Sequence, residues 1–182
     1  MGSRSVRSDA TLGQLSDADV DWLVNHGKRR RHEDGEVIVH EGRATDALFI
    51  ILSGQFRVSL RDGQEVARLG AGEVVGEITF VDSAPPSATV TAAAGATVLA
   101  VPKAVLQQHL ASDTAFEARF YRALAIFLAD RLRATTRRLG YGRVGDLDSK
   151  ATLEDELDVR VLDTLSQAGH RFTRLLRRLA TE

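Results

Sequence analysis

Gly72-Glu73-Val74-Val75-Gly76-Glu77-Ile78-Thr79-Phe80-Val81-Asp82-Ser83-Ala84-Pro85-Pro86-Ser87-Ala88-Thr89-Val90-Thr91-Ala92 is the stretch whose reading decides the fold. It begins as a strand, turns a tight Gly-Glu corner, makes a short helical turn, loops through a Pro-Pro pair and ends in another strand. Glycine at the corner lets the backbone bend sharply and lets a neighbour come close.

The same texture extends outward in both directions. From Gly35 to Pro102, short apolar runs alternate with glycine or Asp-Gly breaks: Val37–Val39, Ala47–Leu52, Phe56–Leu60, Val66–Leu69, Val74-Val75, Ala88–Val90 and Thr97–Val101. Ser53-Gly54, Asp62-Gly63, Gly70-Ala71-Gly72 and Ala94-Gly95 supply the backbone angles that hairpins need, which predicts a small antiparallel barrel or roll. Before it, Ser16 reads as an N-cap with Asp17 and Asp19 in the first helical turn. Val20, Leu23 and Val24 form one apolar stripe, and Gly27 stops the helix. Lys28-Arg29-Arg30-Arg31-His32 follows, with Glu33, Asp34 and Glu36 close behind, and reads as a solvated charged edge rather than a nucleic-acid patch.

After Pro102 the period becomes helical. Ala104–Ala111 makes a short helix, and Asp113 caps a long one over Thr114–Leu139 with Phe116, Phe120, Leu124, Phe127, Leu128, Leu132 and Leu139 as its stripe. The predicted organisation is an arm over 1–14, a domain over 15–139 that includes the long helix, a linker over 140–152, and a C-terminal helix over 153–182. In that last helix, Val161, Leu165, Ala168, Phe172, Leu175 and Leu179 recur at steps of four and three, a seam for packing or oligomerisation. Glu154-Asp155-Glu156 opens it and Arg171, Arg174, Arg177 and Arg178 close it, the polarity a helix dipole favours.

Composition narrows the function classes. The 182 residues are 43% hydrophobic and 27% charged, an ordinary globular balance, and the formal charge of −1 gives no global attraction to nucleic acid or acidic membranes. Cysteine is absent, which removes disulfides, thiolate metal sites and cysteine nucleophiles. No apolar run approaches the roughly twenty residues of a membrane span. The expectation is a cytoplasmic protein with no membrane partner.

Glu41-Gly42-Arg43-Ala44-Thr45-Asp46-Ala47-Leu48-Phe49-Ile50-Ile51-Leu52-Ser53-Gly54 resembles a second hallmark of the cyclic nucleotide-binding domain family: a glycine-bearing turn, an aspartate, an apolar strand and a closing glycine. Residues 72–92 resemble the same family's phosphate-binding cassette. Together the motifs span about residues 15–139. The resemblance implies a mainly β fold with flanking helices, the antiparallel, catabolite-activator-like β-roll (jelly-roll-like barrel), followed by the long helix and the C-terminal helix.

It also implies a ligand site, and no cofactor beyond that ligand. Gly76 and Glu77 match the pair that holds the ribose, the carboxylate accepting from a hydroxyl. Ile78 begins the short helix whose backbone donors face the phosphate, Ser87 offers a hydroxyl and an amide, and Arg131 lies near where the family caps the base. The cassette is degenerate: Pro86 stands where the family carries an arginine, and brings neither charge nor N–H. Losing that charge-assisted bond while an anion is half desolvated lowers cyclic AMP or cyclic GMP affinity by about two orders of magnitude. Arg43 and Arg131 are the candidates to compensate.

Other chemistries find less footing. His32 and His40 are isolated, and His26, His109 and His170 fall on or near helices, so neither a metal centre nor a catalytic residue is expected. No P-loop, nucleophile elbow or kinase signature occurs. The tail beyond Gly140 carries one long helix and no groove reader, which disfavours DNA. Two readings follow. One is a regulatory module that senses cyclic AMP, cyclic GMP or another small ligand. The other is a ligand-independent scaffold that forms a homodimer, or docks a partner protein, through its helices.

Overall fold

The computed structural model describes residues 12–82, 84–138 and 170–180. Among them the chain forms a 3-10 turn at Leu12–Gln14, α1 (Asp17–His26) and β1 (Lys28–Arg31). The strands β2 (Val37–Val39), β3 (Ala47–Ser53), β4 (Phe56–Ser59), β5 (Glu65–Leu69) and β6 (Val74–Val75) follow. After a 3-10 turn at Ile78–Phe80 come β7 (Thr89–Ala92), β8 (Thr97–Pro102), α2 (Lys103–Ser112) and α3 (Thr114–Arg138). Residues 170–179 are also helical.

The strands pair antiparallel into two four-stranded sheets, ordered β1-β8-β3-β6 and β2-β7-β4-β5. They face one another as a roll and do not close into a continuous barrel. The uninterrupted apolar run of β3 has a direct cause: this sheet is covered on both faces. Leu48, Ile50 and Leu52 enter the core shared with the helices, while Phe49 and Ile51 enter the core between the sheets. β8 divides likewise, with Leu99 and Val101 toward the helices and Val98 and Ala100 toward the second sheet. Full burial of one such aliphatic side chain stabilises by about 1.5–3 kcal/mol, so this strand pair is the backbone of the fold.

The predicted strands are found with shifts of one or two residues, and β1 adds a strand where the sequence predicts a solvated charged edge. All four of its side chains are exposed, and it sits at a sheet edge bonded to β8. An edge strand of cations carries no apolar alternation, and charge there discourages pairing with another chain.

The helices pack on the outer face of the first sheet. Ser16 and Asp19 close a capping box at the start of α1, each accepting the other's backbone N–H. Trp22 stacks between His26 and His109, at 4.2 and 4.0 Å between ring centroids, and so fastens α1 to α2. Asp113 accepts from the Phe116 N–H and begins α3 as predicted.

The described end of the C-terminal helix has a partner within this chain. Leu175 and Leu179 are buried in the same core as Leu15, Val20 and Leu23 of the N-terminal region, and Phe172 packs against that core. Arg171 bonds the Gly13 carbonyl, Arg174 pairs with Asp17 at 2.9 Å and Asp21 at 2.7 Å, and Arg178 bonds Asn25. This register makes the helix run parallel to α1. The arginines do more than complement a helix dipole: they meet an acidic row on another helix. Val161, Leu165, Ala168 and the predicted linker lie outside the described residues.

Candidate functional site

Gly76 adopts φ +85°, and a Cβ there would lie 2.8 Å from the Ala47 carbonyl oxygen, so the corner admits glycine for two independent reasons. Ala47 belongs to the motif at 41–54, and the two motifs meet again where the Gly42 N–H donates to the Pro86 carbonyl at 2.8 Å. The Glu41 N–H donates to the Thr89 hydroxyl at 3.2 Å. The separate sequence signals are thus one structural unit, in which the turn before β3 braces the loop that carries Pro86.

The brace shapes a cavity of about 400 Å3 between the β6 corner, the second sheet and α3, a volume in the range of small-molecule sites. Gly76, Glu77, Ile78, Ser87 and Arg131, drawn from three places in the chain, all line it, and so does Pro86. Arg43 is exposed and does not appear on the wall. Among the described residues no cluster of three or more potential metal ligands occurs.

Electrostatically the centre of the cavity is the Glu77 carboxylate, only 2% exposed. Arg131 from α3 donates to its Oε1 at 2.6 Å, with the guanidinium lying 4.8 Å from the Phe127 ring centre. Burial pushes the Glu77 carboxyl above its ordinary range, while Arg131 and the residue's own backbone N–H pull only part of the way back. Arg131, placed by the resemblance near the base cap, is joined to Glu77 across 54 positions of sequence. Such a pairing has no local signature.

Sequence reasoning also missed Arg68. From β5 it lines the same cavity, held by Glu65 through bonds of 2.6 and 3.4 Å. The Asp62-Gly63 turn had marked its hairpin, but nothing local marked which face of β5 would look inward.

Residues 29–113 match the family model described as the cyclic nucleotide-binding domain. A cyclic nucleotide-binding domain from Methylobacillus flagellatus KT superposes with a TM-score of 0.64 at 25% identity, over 74% of this chain and 78% of that one. The cyclic AMP receptor protein of Thermus thermophilus is 34% identical over 92 residues, 48% of this chain and 42% of its own length. The cGMP-dependent protein kinase egl-4 of Caenorhabditis briggsae is 28% identical over 103 residues, 57% of this chain and 14% of the kinase. The chain therefore spans less than half the length of these curated relatives.

Proposed function

We propose, from a chain whose residues 29–113 belong to the cyclic nucleotide-binding domain family, that this protein is a non-enzymatic ligand-sensing regulatory module. The cavity at the Gly76-Glu77 corner takes a small molecule, and α3 carries the response. The observation that supports this is the convergence of Gly76, Glu77, Ile78, Ser87 and Arg131 on one cavity, with α3 contributing Arg131 to its wall. Because Arg131 fastens α3 to Glu77, a ligand that bonds the carboxylate beside it shifts the balance between docked and released helix.

Cyclic AMP and cyclic GMP are the first ligands to test, and Pro86 weakens both. Titration calorimetry to millimolar nucleotide, on wild type and Pro86→Arg side by side, is the decisive measurement. The expected result is weak binding by wild type and a gain of about ten- to a hundredfold in the variant, the worth of one charge-assisted bond. Absence of heat from either nucleotide with both proteins sinks the nucleotide version.

A scaffold reading draws support from α3 itself, where Leu132 is 67% and Tyr121 39% exposed. Large apolar side chains left uncovered on a long helix suit a homodimer or a partner protein. Sedimentation as a monomer at all accessible concentrations overturns the homodimer.

A further inference from the structure

We propose that the cavity beneath α3 selects an uncharged, largely apolar molecule bearing a hydrogen-bond donor, and discriminates against anions. This names the ligand class for the sensor reading above and rests on it. The lining carries two arginines, and each is already bound: Arg131 to Glu77 at 2.6 Å and Arg68 to Glu65 at 2.6 Å. Three carboxylates, Glu73, Glu77 and Asp130, share the wall with them, Asp130 paired with Arg133 and Glu73 accepting from the Gly70 N–H. Pro86 adds neither charge nor N–H at the loop.

An anion entering this space meets two unfavourable choices. It sheds water and meets only Arg68, which is 68% exposed beside Glu65 and answers a charge weakly in solvent, or it draws Arg131 away and leaves Glu77 charged, buried and unpaired. A neutral molecule faces neither. Val39, Val58, Leu69, Val75, Val90 and Phe127 offer it an apolar wall, and the Glu77 carboxylate has acceptor capacity beyond its bond to Arg131 for an O–H or N–H. The ligand therefore adds to the existing ion pair instead of breaking it.

A matched pair of dyes isolates the charge. N-phenyl-1-naphthylamine is neutral, apolar and carries one N–H; 8-anilino-1-naphthalenesulfonate has the same skeleton plus a sulfonate. Fluorescence titration of the full 182-residue chain is expected to give tighter binding of the neutral dye by about tenfold. Leu60 lines the cavity and is 36% exposed, so Leu60→Asp keeps the fold, as its melting temperature will report, and weakens the neutral dye. Pro86→Arg is expected to strengthen the sulfonate relative to the neutral dye. Equal or tighter binding of the sulfonate by wild type overturns the proposal, as does a Leu60→Asp variant that binds the neutral dye unaltered. If the sulfonate and cyclic AMP both bind more tightly than the neutral dye, this inference falls and the sensor reading stands. If neither dye and neither cyclic nucleotide binds, both fall.

Discussion

Two buried carboxylates, Asp19 and Glu77, are each held by an arginine of α3, yet they live in opposite electrostatic regimes. Asp19, on α1, is 5% exposed and receives Arg119 through two bonds of 2.7 and 2.8 Å, plus the Ser16 backbone N–H at 2.7 Å. Burial works to raise its pKa, but Arg119 and Ser16 outweigh it and the carboxyl is held below its ordinary range. Glu77 receives one guanidinium nitrogen and opens onto a cavity, so burial wins and its carboxyl is raised. The partners sit about 18 Å apart along a single helix. The number of donors separates a carboxylate that rivets two helices from one whose charge is only half answered, and the second kind is the one placed where a ligand can reach.

Arg119→Ala strands Asp19 in the core and is expected to cost about 2 kcal/mol in urea unfolding, below the cost for a fully buried pair because Arg119 is 36% exposed. Next comes Gly76→Ala, which forces a side chain into a left-handed backbone against the Ala47 carbonyl and is expected to cost about 1–2 kcal/mol. Its readout is a lower melting temperature together with weakened cavity binding, since the corner that aims Glu77 must shift.

The smallest effect is expected at Glu77 itself. Glu77→Gln removes a poorly answered charge and leaves Arg131 able to reach water, so stability should change by less than about 1 kcal/mol at neutral pH, in the stabilising direction. A loss as large as that of Arg119→Ala would erase the distinction between the two carboxylates.

The two carboxylates respond to acid with opposite sign. Asp19 has a lowered pKa, so its contribution is full above the ordinary carboxylate value and disappears as pH falls through the folded value. The penalty of Arg119→Ala should therefore shrink in acid. Glu77 has a raised pKa, so between its unfolded and folded values the folded state holds the extra proton and stability falls as pH rises. The advantage of Glu77→Gln should be present at neutral pH and vanish below the ordinary glutamate range. Parallel pH profiles for the two variants would contradict this assignment.

Local chemistry explains what could be read from residues alone. Ser16 and Asp19 lie three positions apart and announce a cap, Asp113 announces α3, and the glycines at 54, 63, 72 and 95 mark turns that all adopt positive φ. The five candidate site residues were found through the family resemblance and do line one cavity. What stayed hidden is non-local. Asp19 and Arg119 are a hundred positions apart, and Arg174 and Asp21 are 153 apart. Either arginine reads equally well as solvated until the packing is known. β1 stayed hidden for another reason: an exposed edge strand needs no apolar face.

The docking of Arg171, Arg174 and Arg178 along α1 carries a consequence for the order of folding. Its contacts close a span of more than 150 residues, and closing so long a loop is entropically unfavourable until most of the chain is already compact. The β-roll and its adjoining helices should assemble first, with the C-terminal helix arriving last onto a surface already built. Stopped-flow refolding should then show Leu175→Ala accelerating unfolding while leaving the folding rate nearly unchanged. A slowed folding arm would instead place the helix in the nucleus. If only unfolding is accelerated, the last helix is a late-closing seal over a domain that is already folded.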